Sequence, residues 1–162
     1  MAAATRLIFT PYNAEYPASA FPQLLLVNQR PALAFDAAAD EACYWTAIAP
    51  IGIGTAYHAK VFYIMASATS NEVVLMAAIE AITEADAVDL DNTTSFDSDN
   101  SVTDTVPGTA GYLGMADITL TNYDSIAAGD YFRLRLTRDA NHADDDATGD
   151  CYVLAVELTD GN

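Results

Sequence analysis

The sequence predicts an all-β chain folded as one antiparallel β-sandwich, and three observations carry that expectation. Two runs near the end alternate cleanly, Tyr131-Phe132-Arg133-Leu134-Arg135-Leu136 and Cys151-Tyr152-Val153-Leu154-Ala155-Val156-Glu157-Leu158. A side-chain period of two sends Phe132, Leu134 and Leu136 to one face and Arg133 and Arg135 to the other, the signature of a half-buried sheet. Turn-forming clusters recur along the chain, among them Pro50-Ile51-Gly52-Ile53-Gly54, Pro107-Gly108, Ala127-Ala128-Gly129-Asp130 and Ala147-Thr148-Gly149-Asp150. Strands at such regular spacing belong to sandwiches and barrels.

The elements follow in order. Residues 1–30 carry Pro11, Pro17 and Pro22 and no sustained period. Proline removes a backbone donor, so this stretch reads as an extended N-terminal arm with at most edge strands, one of them within Thr5 to Thr10. The domain proper spans 31–162. Its expected strands are Ala32 to Phe35, Ala42 to Ala49, His58 to Ser67, Glu72 to Ile82, a weak one within Thr94 to Val106, Gly114 to Thr121, Tyr131 to Thr137 and Cys151 to Leu158. The stretch Asn71 to Ala85 contains good helix formers, but Ala68-Thr69-Ser70-Asn71 joins it to a strongly β run in hairpin fashion, so it is assigned as a strand. Asp86 to Asp104 is polar and reads as a long excursion. The two terminal runs, parted by an acidic loop, read as a hairpin-like pair, with Tyr152, Leu154, Val156 and Leu158 on its apolar face.

Composition narrows the function. A chain of 162 residues can bury a core without metal or disulfide staples. With 23 acidic residues against 6 basic ones the formal charge is -17, which argues against nucleic acid or an anionic membrane as a partner, since both are held by lysine and arginine. Hydrophobic residues make up 52% of the chain, too many for an acidic disordered tail. No export signal is read at the start, and no segment approaches the roughly 18 apolar residues of a membrane span. Cys43 and Cys151 read as small buried hydrophobes, and the sequence leaves a bridge between them open.

Catalysis is disfavoured. His58 and His142 are the only histidines, and neither a nucleophile elbow nor a zinc-binding helix motif occurs. Paired carboxylates could hydrolyse a glycoside, but the single tryptophan, Trp45, sits in an apolar strand context with Tyr44 and reads as a core or interface anchor. Two acidic clusters offer hard oxygen ligands of the kind calcium selects: Asp144, Asp146 and Asp150 in the last loop, and Asp89, Asp91, Asp97 and Asp99 in the excursion. Neither matches an EF-hand, and solvated acidic loops are the plainer reading. No other cofactor is implied.

Half of the positive charge is packed into Arg133, Arg135 and Arg138. Exposed pairing with carboxylates is worth little per pair, so the arginine face, chiefly Arg133 and Arg135, is also a candidate for recognition between subunits. The arm supplies the other interface candidates, Tyr12, Tyr16 and Phe21 with Leu24, Leu25 and Leu26, because aromatic and aliphatic anchors dominate interface energetics.

Three segments together carry a family resemblance. They are Arg30-Pro31-Ala32-Leu33-Ala34-Phe35-Asp36 after the proline-bearing arm, Tyr44-Trp45-Thr46-Ala47, and Ala128-Gly129-Asp130-Tyr131-Phe132-Arg133-Leu134-Arg135-Leu136-Thr137-Arg138-Asp139-Ala140. From about Arg6 onward the chain resembles small virion proteins of tailed bacteriophages, of the capsid decoration (cement) or head-fibre type. The resemblance implies a jelly-roll sandwich assembled as a homotrimer on the outer surface of a capsid, made in the host cytoplasm, with the arm on the major capsid protein or the adjacent protomer. It brings no catalytic residues. The other expectation is a carbohydrate-binding module or tail-associated adhesin, which uses the same fold and often calcium; fold alone does not choose between them.

Overall fold

Ten strands make two antiparallel sheets in the computed structural model, which describes residues 5–161. In chain order they are β1 Arg6–Phe9, β2 Gln23–Val27, β3 Arg30–Phe35, β4 Glu41–Ile48, β5 Tyr57–Met65, β6 Glu72–Ile82, β7 Asn100–Thr105, β8 Gly114–Leu120, β9 Tyr131–Arg138 and β10 Cys151–Thr159. Sheet A runs β2-β3-β10-β5-β8, with β1 also on β10; sheet B runs β4-β9-β6-β7. From β3 to β10 the sheets therefore read 3-10-5-8 and 4-9-6-7, the nested Greek keys of a jelly roll.

The core lies between the sheets and follows the period-two pattern. Sheet A supplies Tyr57, Ala59, Val61, Tyr63 and Met65 from β5, and sheet B supplies Phe132, Leu134 and Leu136 from β9, all buried. Trp45 is in the core and donates its indole N–H to the Thr10 carbonyl at 2.9 Å. Phe9 of β1 packs against Trp45 and Phe132, with ring centroids 5.8 and 6.4 Å apart. Cys43 and Cys151 are free thiols, both buried.

Two strand pairings differ from expectation. The alternating runs β9 and β10 are not a hairpin: β9 belongs to sheet B and β10 to sheet A, and they face each other across the core. The same holds for β5 and β6. Each carries one apolar face, and an apolar face is buried as well by an opposing sheet as by a neighbouring strand. The apolar register of β10 also differs. A bulge between Val153 and Ala155 inserts one residue, so Cys151 and Val153 point inward, then Val156 and Leu158, while Tyr152 and Leu154 are only half-buried.

The expected arm is woven into the sandwich. β1 pairs with β10 from Arg6↔Thr159 to Phe9↔Val156, continuing the side of β10 that β3 occupies at Cys151–Val153. The intervening segment runs along β4, the edge of sheet B, through reciprocal backbone bonds between Glu15 and Tyr44 and a bond from Ala42 N–H to the Ala20 carbonyl. β2 then adds an outer strand to β3. Residues 1–4 of the expected arm lie outside the described residues, as does residue 162 of the domain.

Candidate interaction surface

The arginines of β9 have structural partners. Arg133 lies over the Tyr44 ring, 4.5 Å from its centroid, and its guanidinium pairs with Glu15 at 3.4 Å and Glu80 at 3.8 Å. Arg135 donates from Nη2 to both oxygens of Asp99, at 2.9 and 3.0 Å, and covers Phe96. Together they clamp the excursion before β7 onto the outer face of sheet B. Buried Glu80 completes the clamp by accepting from the Ser95 backbone N–H and hydroxyl. The plainer reading, pairing with carboxylates, describes both arginines, and neither offers a free cation to another subunit.

Arg138 is different in kind. Two positions beyond Leu136, it shares the inward parity and is wholly buried. Its Nε and Nη2 grip Asp145 at 3.0 and 2.7 Å, and the carbonyls of Ala147, Gly149 and Phe35 accept its remaining protons at 3.2, 3.1 and 3.4 Å. Burial opposes the charge, and the Asp145 bonds more than restore it, so its pKa is raised. This pair ties the connection from β9 to β10 down where it crosses between the sheets. Alternation read strictly places Arg138 inward, on the face opposite the half-buried Arg133 and Arg135.

The calcium candidates are dispersed. Asp144 is exposed beside His142. Asp146 accepts the Glu72 N–H at 3.0 Å, and Asp150 lines a shallow groove with Asp36 and Glu41. Among the described residues no group of three or more acidic, histidine or cysteine side chains is placed to hold a metal ion. Of the excursion's carboxylates, Asp97 accepts the Asp124 N–H, Asp99 pairs with Arg135, and Asp89 accepts from the Asn92 side-chain amide at 3.4 Å. His58 pairs with Asp117 at 2.8 Å.

Exposed apolar surface falls mainly in two places. Among the described residues the large exposed hydrophobics are Ile8, Tyr12, Tyr16, Phe21, Leu24 and Leu26 in the first sixth of the chain, Tyr112, Leu113 and Met115 at the start of β8, and Ile48, Ile51 and Leu90 singly elsewhere. Tyr16 and Phe21 pack ring to ring at 5.5 Å, yet each remains about 40% exposed. Leu25 is half-buried on the outer face of sheet A, so of the six apolar interface candidates it alone is partly covered. A groove of about 560 Å³ opens beside the β2–β3 turn, lined by Val27, Arg30, Ile64, Leu113 and Leu154 among others.

No protein-family profile matches the chain, and no curated protein does. Among solved structures, it is similar to the family 11 carbohydrate-binding module from Clostridium thermocellum in complex with a mixed-linked tetrasaccharide. That likeness has 7% identity and a TM-score of 0.47, over 96% of this chain and 87% of that one. An arabinose-bound α-L-arabinofuranosidase matches with 14% identity and a TM-score of 0.43, over 95% of this chain. The chain spans only 23% of the arabinofuranosidase's length. Both are distant likenesses, and neither assigns a family or an activity.

Proposed function

We propose that the chain is a non-catalytic structural subunit, a decoration protein that binds the outer surface of a tailed-bacteriophage head and strengthens it. The observation that carries this reading is the contrast between its polar and its apolar residues. Arg133, Arg135, Arg138, Asp145 and Glu80 are bonded within the chain, whereas Tyr12 and the ring pair Tyr16 and Phe21 are exposed on a body of charge -17. Exposed apolar area is thus available to a partner, and binding by area is how a cement works: it adds free energy to the assembled shell and none to the dissociated one. The resemblance in the arm-to-β3, β4 and β9 segments supplies the partner class. A glycan platform would need stacked aromatics over polar groups; the lining of the large groove contains no aromatic residue, being Val27, Ile64, Leu113 and Leu154 with Asn28, Arg30 and Gly111.

The test is co-sedimentation of the purified chain with heads that lack it, for the wild type and for a Tyr12→Ser, Tyr16→Ser, Phe21→Ser variant. The wild type should pellet with the heads and raise their rupture temperature, and the variant should remain in the supernatant. A wild-type chain that ignores heads but is retained on a glycan array would overturn the proposal in favour of carbohydrate binding.

A further inference from the structure

β2 is an uncovered sheet edge, and its backbone geometry specifies what it can accept. Asn28 and Gln29, with φ of 46° and 67°, form the two-residue turn between β2 and β3. Two positive φ values mark a type I′ hairpin, which closes on a hydrogen-bonded pair, here Val27 and Arg30. Alternation then directs the backbone groups of Gln23, Leu25 and Val27 toward β3. Those of Leu24 and Leu26 point away from the sheet. Pro31 fits this register, since it stands opposite Leu26, where no N–H is required.

Natural sheets shield such edges with charge, proline or a covering segment. The edge of β4 is covered by Glu15 and Ala20, while β7 and β8 carry Asp104 and Asp117. Among the described residues, β2 has none of these devices. Its sequence is Gln-Leu-Leu-Leu-Val, Leu24 and Leu26 are 46% and 62% exposed, and no charged residue occurs from Tyr16 to Gln29. For a chain of charge -17, a neutral strip is where a second copy can approach.

We propose that β2 pairs with β2 of a second copy, antiparallel about a two-fold axis through Leu25. This register sets Leu24 opposite Leu26 of the other copy, so the outward N–H and C=O groups of both meet and the exposed leucines cover each other. Charge favours the same direction. Arg30, with no carboxylate partner among the described residues, lies at one end of β2, and Asp36, Glu41 and Asp150 lie around the other. Antiparallel pairing turns the basic end of each copy toward the acidic end of its mate; parallel pairing would set like ends together. The two six-stranded sheets then become one continuous sheet, and Tyr12, Tyr16 and Phe21 stay available for the head surface. The inference goes beyond the decoration reading, puts a two-fold dimer in place of the homotrimer that the resemblance implies, and stands whatever the assembled protein binds.

Sedimentation velocity on the full chain tests it, with Leu26→Lys as the perturbation and Ile51→Lys, at a 96% exposed turn position, as the control. The wild type and the control should sediment at twice the 17.2 kDa chain mass, and Leu26→Lys at the single mass with unchanged circular dichroism. Leu25→Cys checks the register. Facing its own copy across the axis, it should give a covalent dimer on mild oxidation, whereas Gln23→Cys, roughly 13 Å from its counterpart, should not. A monomeric wild type, a trimer, or a dimer that Leu26→Lys leaves intact would overturn the proposal, as would equal cross-linking of the two cysteine variants.

Discussion

Replacing Arg138 with Met tests whether the crossing between the sheets depends on one buried ion pair. The guanidinium makes two bonds to Asp145 and three to carbonyls, with no exposure of either charged side chain. Methionine fills much of the volume and supplies none of the five donations. Asp145 would keep only the Val74 N–H, at 2.9 Å, against a buried negative charge. Removing one partner of a buried pair costs about 3–5 kcal/mol, and the carbonyls of Ala147 and Gly149, on a loop near the surface, can recover water by a small shift. The expected loss is therefore about 4 kcal/mol. Trp45, the single tryptophan and wholly buried, reports unfolding in urea. With a denaturant slope near 2 kcal/mol per molar, the midpoint should fall by about 2 M. Pairing Arg138→Met with Asp145→Leu should recover more than half of the loss, because hydrophobic replacement of both partners removes the uncompensated charge. A midpoint shift below about 0.5 M for the single variant would refute the argument.

Three further outcomes are expected. A Cβ at Gly114 would lie 2.7 Å from the Tyr63 ring, whose hydroxyl donates to Asp104 at 2.6 Å; Gly114→Ala should cost about 1–3 kcal/mol by urea titration, and no loss would mean the ring moves freely. Burial pushes the Cys151 thiol up to about 12 from an ordinary 9.0, and raises Cys43 likewise. The unfolded chain gives up those protons first, so the thiols' contribution to stability is level below about pH 9 and falls from there toward pH 12, by up to about 1.4 kcal/mol per pH unit for each thiol. A urea midpoint that rises over that window would contradict this, as would rapid labelling of either thiol in the native chain. Arg135→Ala should change global stability by only about 0.2–1 kcal/mol. Its effect should appear instead as faster hydrogen exchange at the Ser95 and Asp97 amides, and unchanged exchange there would show that Arg135 does not hold the excursion.

Much of the fold was legible because period two is a strong signal where one face is buried. β5 reads Tyr57-His58-Ala59-Lys60-Val61-Phe62-Tyr63, and its odd positions are all core. The helix formers of β6 were overridden by its place between β9 and β7. Parity names a face but not a partner, and so β9 and β10 could be read as neighbours. Their connection, from Asp139 to Asp150, is longer than the two to five residues of an ordinary hairpin, and that length was the available clue. β2 escaped for a different reason: Leu24-Leu25-Leu26-Val27 does not alternate, and Asn28-Gln29 lacks the glycine that usually marks a type I′ turn. The bulge in β10 has no marker at Leu154. Tyr12, Tyr16 and Phe21 were visible as aromatics among prolines, though not that their segment covers the edge of β4.

The acidity of the chain has a structural use that bears on where partners can bind. Carboxylates accept backbone N–H groups at positions lacking a strand partner: Asp145 from Val74, Asp146 from Glu72, Asp124 from Ala81, Asp130 from Ala127, Asp86 from Thr83, and Asp160 from both Thr5 and Gly54. An ionised acceptor makes such a bond roughly twice as strong as a neutral one. Part of the negative charge thus serves the hydrogen bonding of the loops. Its consequence is long-ranged, because a body of this charge repels copies of itself over about a Debye length, 8 Å at physiological salt. Contacts must then concentrate where charge is missing and apolar area is exposed. In this chain both conditions coincide along Tyr16 to Val27, at the aromatic pair and the open edge of β2, and again at Tyr112, Leu113 and Met115.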